Sequence, residues 1–249
     1  MNDVGALRDG DWHWNGWLTA KGRVIALFAL LRIDAETLWI LLPDTSPATF
    51  ADALRRYVFR SKVTISVRDD LRIAGRHAAS ALASGNHAIE IDGAFELDLS
   101  GQLGATHAGR SLRIGMALDA VDDAAAVQAW RAADLAHGWP RLEASQCEQW
   151  TPQQLSLERL HAFSVKKGCY PGQEIVARTH FLGQAKRGLA RIRSVRPFET
   201  GATLVDDAQR ELGHVVSTAG DTALAVVGAG TTGQGADWRF EPLEDGLAR

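Results

Sequence analysis

The chain has 249 residues, of which 46% are hydrophobic and 23% charged, with a formal net charge of −3; this is the composition of an ordinary globular protein, long enough for one large domain or two to three smaller ones. No apolar run reaches the roughly 18 residues of a membrane-spanning helix, and the opening MNDVGALRDGDWHW lacks a secretory or transit pattern, so a cytoplasmic protein is expected. Two cysteines, Cys147 and Cys169, are too few for a four-cysteine iron–sulfur or zinc site, and a disulfide between them is not expected in a reducing compartment.

Residues 12–18 (WHWNGWL) and 23–33 (RVIALFALLRI) read as two strands joined at TAKG with Gly22 in the turn. The second is nearly all apolar, as a central strand is, and residues 37–42 add a third. Ser46 and Pro47 then open a helix, as N-cap and first residue, whose apolar positions are Phe50, Leu54, Tyr57 and Val58. Residues 61–69 alternate as a strand, with Val63, Ile65 and Val67 on one face. A strand over 71–75, a short helix over 76–83, a strand or hairpin over 87–98 and a strand over 110–118 follow. Asp122 to His137 is an amphipathic helix stopped by HGWP. The mixture has no strict βαβ rhythm, which favours an α+β fold. A boundary falls between Arg193 and Gly201, after which short strands alternate with Gly- and Asp-bearing turns, the spacing of a small β-barrel.

The stretch KKGCYPGQE, residues 166–174, carries the chemistry. Pro171 keeps Tyr170 extended, and GQEIVAR reads as a short helix with Glu174 and Arg178 paired one turn apart. Cys169 then sits just ahead of the helix N-terminus, where the partial positive charge, Lys166 and Lys167 favour thiolate. The neighbouring glycines let the backbone turn tightly and a ligand approach. An inert cysteine buried in a tight turn is the alternative. His161 and His180 flank the motif, but spacing alone places neither against the thiol, so a cysteine-protease reading lacks its base and orienting group. The stretch lies in a basic segment: from Arg159 to Arg196 nine Lys or Arg face one acid, Glu174, a local charge of +8. Such a segment points to an anionic partner, or else to pairing with the acidic remainder of the chain. Eight tryptophans offer flat rings for a pterin or a base, or simply a core.

The run KKGCYPGQEIVARTHFLGQAKRGLARI resembles the signature of the YgfZ family. WLTAKGRVIALFALLRI, LRRYVFRSKVTI, WRAADLAHGWPRL and TPQQLSLERLHAFSVKKGCY resemble further segments of it, so the likeness covers nearly the whole chain. The family shares its fold with the glycine-cleavage T-protein, an aminomethyltransferase. The resemblance implies an α+β, T-protein-like folate-binding region over residues 1–193, in two subdomains and short at its N-terminus, and a β-barrel over 194–249. Family members carry an opening segment ending in a Thr-Asn-Asp-Val-like stretch. Starting at MNDV, this chain is therefore expected to lack a strand, a helix and a second folate-associated tryptophan.

The resemblance also implies binding of tetrahydrofolate or a derivative, and a role in assembling or maintaining iron–sulfur clusters in client enzymes, tRNA-modifying enzymes among them. Carried over position by position, Cys169 is the reactive or cluster-contacting thiol, with Lys167 and Tyr170 shaping its pocket. Trp130, Gly168, Gly172, Gln173, Glu174 and Arg178 are the candidate cofactor-binding residues. No stably bound metal is expected, since Cys169 alone offers only a transient ligand. The partners implied are folate and iron–sulfur client or carrier proteins, with no membrane. Two alternatives stand beside this binding factor. A folate-dependent aminomethyltransferase needs an acid by the folate nitrogens; the T-protein has an Asp pair after the Gly of the early hairpin, where this chain has Ala26 and Leu27. An RNA- or partner-binding module would use the basic segment and weaken steeply with salt.

Overall fold

The computed structural model describes residues 1–100, 109–183 and 185–244. Three antiparallel sheets share one central core. The first is a meander of β1 (Trp12–Leu18), β2 (Val24–Arg32) and β3 (Leu38–Leu41). Its middle strand is apolar from Val24 to Leu31 because both faces are covered there. Leu27, Ala29 and Leu31 enter the central core, while Ala26, Phe28 and Leu30 pack against Phe50 of α1 (Pro47–Arg55). Ser46 caps α1 by accepting from the Thr49 amide at 3.4 Å, with Pro47 at the first turn.

The second sheet runs β4 (Arg72–Arg76), β7 (Ser111–Gly115), β6 (Ala94–Asp98), β5 (Ile89–Ile91). β5 and β6 form a hairpin whose two turn residues, Asp92 and Gly93, both have positive φ, 51° and 73°. Helix α2 (Ala124–Ala136) starts where the Asp123 carboxylate accepts from the Ala125 and Ala126 amides. It stops at Gly138, φ 73°, where the Gly138 amide bonds to the Leu135 carbonyl and the Trp139 amide to that of Asp134. This is a Schellman ending, which needs a left-handed residue.

Two of the expected elements do not form. Residues 61–69 form no strand and lie on the surface, with Val63 exposed. The alternation is there but no sheet edge meets it, and the Arg55 guanidinium donates to the Ile65 carbonyl at 2.7 Å instead. Residues 76–83 form no helix; the Ser80 hydroxyl accepts from the Leu82 and Ala83 amides, a local turn that outcompetes so short a helix.

After α3 (Gln173–Leu182) the chain enters β8 (Arg187–Ser194), which is paired on both sides within the third sheet. That sheet adds β9 (Thr203–Val205), β10 (Glu211–Ala219), β11 (Thr222–Gly228), β12 (Gln234–Gly235) and β13 (Trp238–Glu241) in the order β12, β13, β8, β11, β10, β9. It curls into a nearly closed barrel around Ile192, Leu204, Val215, Ala225 and Trp238. Across the remaining seam the Trp238 indole N–H donates to the Val205 carbonyl at 3.1 Å. The barrel therefore takes in Arg187–Ser194, ahead of the Gly- and Asp-bearing turns by which the sequence marks its start.

Candidate functional site

The loop ahead of α3 is organised by Ser164. Its hydroxyl accepts from the Lys166 and Lys167 amides at 3.2 and 3.1 Å, and its carbonyl accepts from the Tyr170 hydroxyl at 3.2 Å. Gln173, the first residue of α3, donates from Nε2 to the Lys167 carbonyl at 2.9 Å. Tyr170 is half-buried against the central core, and burial pushes its hydroxyl above the usual tyrosine range, so it remains a donor. These bonds hold Lys167, Tyr170 and Gln173 around one turn and leave the Cys169 thiol free and exposed. Gly168 borders open space.

Gly172 caps α3 in the left-handed region, φ 78°. A Cβ there would lie 2.6 Å from the Thr19 carbonyl oxygen and 2.7 Å from Gly22 Cα, at the tip of the β1–β2 hairpin. On the next turn Val176 is fully buried, and its carbonyl accepts from the buried Gln153 Nε2 at 2.9 Å. The loop is thus clamped between the hairpin tip and the core. Glu174 and Arg178 are exposed on α3 and make no salt bridge with each other or with any described residue, contrary to the expected pair. In water such a pair contributes too little to fix two long side chains.

Part of the basic segment is spoken for. Arg191 and Arg193 pair with Glu241, and Arg196 with Asp237, all within the barrel. Lys166 and Lys167, beside the thiol, have no acidic partner among the described residues.

Trp130 is placed elsewhere, on α2 over the second sheet. Its ring meets Gly75 of β4, the edge of His77 at 5.5 Å and the Arg110 guanidinium at 4.6 Å. Arg110 is buried and bonds Asp134 at 2.7 Å; Asp134 also receives Arg141, which in turn grips Asp44. Arg110 Nη2 is buried with no partner among the described residues. Burial raises the Asp44 carboxyl, and the adjoining Arg141 opposes the shift. Four other tryptophans, Trp12, Trp14, Trp139 and Trp150, are core residues, with Trp14 and Trp139 rings 4.3 Å apart. Two open concavities, of about 310 and 500 Å³, lie on the barrel beside Trp238 and Phe240, and neither includes the loop. Among the described residues no cluster of three or more His, Cys, Asp or Glu is placed to hold a metal, and no helix is long and apolar enough to cross a membrane.

Sequence reasoning missed Ser164, Thr19 and Gly22 as builders of the loop, and Arg110 beside Trp130. Only Ser164 left a local signal, a hydroxyl three residues ahead of Lys167.

Comparison with known proteins sets this arrangement in a family. The chain is 33% identical over 187 residues to the tRNA-modifying protein YgfZ of Cronobacter sakazakii, covering 68% of this chain and 56% of that protein. It is 32% identical over 203 residues to the YgfZ of Klebsiella pneumoniae, covering 75% and 62%. With the YgfZ of Colwellia psychrerythraea the identity is 27% over 242 residues, covering 88% and 71%. The chain belongs to the YgfZ family. It matches less than two thirds of the length of the Cronobacter and Klebsiella YgfZ proteins. No protein-family model matches the chain. The YgfZ fold seen here is also that of the aminomethyltransferase T of the Bartonella henselae glycine cleavage system, at a TM-score of 0.62 and 15% identity, covering 97% of this chain and 74% of that one.

Proposed function

We propose that this YgfZ-family chain is a tetrahydrofolate-binding factor that supports assembly or repair of iron–sulfur clusters in client enzymes, tRNA-modifying enzymes included, through Cys169. The observation that carries the reading is a free, exposed thiol on a loop fixed by Ser164, Tyr170, Gln173 and Gly172; Lys166 and Lys167, three and two positions ahead of it in the chain, pair with no described acid. A thiol in that setting meets a cluster or a client without housing the metal itself.

For folate, Trp130 and Arg110 are the residues that fit. A half-buried ring stands beside a guanidinium whose Nη2 has no acceptor among the described residues, which suits a flat heterocycle with acceptor atoms at its edge. The bound folate would supply a one-carbon carrier or a sensing ligand; the chain's part is to stack and orient it. An aminomethyltransferase reading finds no support on β2, where Ala26 and Leu27 are buried among apolar side chains and offer no acid.

The test is complementation of cells lacking the factor. Cys169→Ala is expected to lose cluster-dependent activity of a client enzyme while keeping the parent's stability, and full rescue by that variant overturns the role of the thiol. For the ring, tetrahydrofolate should quench tryptophan fluorescence less in Trp130→Phe than in the parent; equal quenching removes Trp130 from the site.

A further inference from the structure

We propose that the surface segment following α1, residues 56–62, is a docking site for single-stranded RNA, with bases stacking on Phe59 and Tyr57 and phosphates meeting Arg56, Arg60 and Lys62. The inference is independent of the thiol and of folate. From Arg55 to Arg68 the sequence RRYVFRSKVTISVR holds five cations and no acid. Tyr57 and Phe59 stand within it at 63% and 85% exposure. One exposed aromatic is unremarkable. Two, interleaved with arginines and a lysine on an irregular surface segment, form the combination that grips an unpaired strand: cations track the backbone and rings take the base faces.

The flanking charges are already used, and their use holds the segment in place. Arg55 bonds Asp52 at 2.5 Å and the Ile65 carbonyl at 2.7 Å, while Arg68 makes a two-pronged contact with Asp70 at 2.7 Å. Asp69 lies beyond Arg68. Arg56, Arg60 and Lys62 in between have no acidic partner among the described residues. Arg60 rests 5.4 Å from the Phe59 centroid, the geometry in which a guanidinium backs one face of a ring. Tyr57 meets the edge of Trp17 at 5.9 Å, which ties the segment to β1.

Charge alone would suit any polyanion, an acidic protein surface included. The exposed rings are what an acidic surface does not need and what a duplex, with its bases stacked inside, cannot use. Among unpaired strands RNA is the choice, and that choice alone rests on the proposed service to tRNA-modifying enzymes.

The experiment is fluorescence polarisation of the full chain with a labelled oligouridylate of about 10 nucleotides, titrated at several salt concentrations. Phe59→Ala should weaken binding about 5- to 100-fold, the loss of one stacked base, and Phe59→Tyr should restore it. Arg60→Ala with Lys62→Ala should reduce the slope of log affinity against log salt by about 1.4, for two phosphate contacts. Phe59 is so exposed that Phe59→Ala should melt at the parent's temperature, and its Cys169 labelling should be unchanged. Binding that Phe59→Ala leaves intact overturns the proposal, as does equal affinity for duplex RNA or for polyglutamate. Absence of binding at low salt does so too. Loss of binding on Lys166→Ala with Lys167→Ala, with Phe59→Ala silent, would move the anion site to the cysteine loop and also overturn it.

Discussion

Gly22 and Gly172 pack backbone against backbone. A Cβ on Gly172 would stand 2.7 Å from the Gly22 α carbon, and one on Gly22 would stand 2.9 Å from Ile175 Cβ. The hairpin tip and the cysteine loop are joined where neither has a side chain to keep them apart.

Gly172→Ala is therefore expected to destabilise the protein by about 2–4 kcal/mol, from the left-handed φ and from backbone atoms that cannot give way. Gly168→Ala, with open space around it, should change stability by less than about 0.5 kcal/mol. Urea denaturation of the two variants checks the contrast. Equal effects would mean that the close approach is not maintained in solution.

The two thiols should react at different rates. Cys169 is exposed, whereas Cys147 is half-buried, and burial pushes its thiol above the usual range, with Glu148 adding to the shift. With a limiting alkylating reagent at mildly alkaline pH, peptide mass spectrometry should find label on Cys169 well before Cys147. The reverse order would remove the main support for the proposed role of Cys169.

Asp134 is held by two arginines in a buried cluster, Arg110 at 2.7 Å and Arg141 at 3.0 Å. Asp134→Ala leaves two buried cations facing each other and should reduce stability by about 3–5 kcal/mol. Asp70→Ala breaks an exposed pair and should cost less than about 1 kcal/mol. Chemical denaturation of both variants distinguishes the buried from the exposed pair.

The barrel should carry a pH-dependent contribution from Asp206. Backbone amides of Arg210 and Ala208 and the Arg210 guanidinium bond its carboxylate and hold it below the usual aspartate range. A depressed carboxyl stabilises the fold above its unfolded pKa of about 3.9, and that stability is lost as pH falls through the lower, folded value. Asp206→Asn should therefore melt below the parent at neutral pH. The two melting curves should converge only in acid, below about pH 4. A gap that persists unchanged into acid would assign the effect to shape.

Much of this architecture was legible in local pattern. β1, β2 and β3, the cap at Ser46 and the stop at Gly138 all follow from residues within a few positions of one another. The two failures are instructive in the same terms. Residues 61–69 alternate like a strand, but alternation does not provide a neighbouring edge, and Arg55 takes the Ile65 carbonyl. Residues 76–83 have helical composition, yet Ser80 satisfies two amides in a turn. The cysteine loop was recognisable as a motif, while its builders were not, because Thr19 and Gly22 are remote in sequence from Gly172. Trp130 was singled out, but its partner Arg110 comes from another element and left no sequence signal.

The Trp238 indole that reaches the Val205 carbonyl has a bearing on self-association. A barrel left open between β9 and β12 would offer a ready template for a second molecule to extend, strand upon strand. With that carbonyl occupied and the two margins turned toward each other, the molecule withholds the template. Replacing the indole with a ring that lacks the N–H is the change that would invite oligomers when the protein is concentrated.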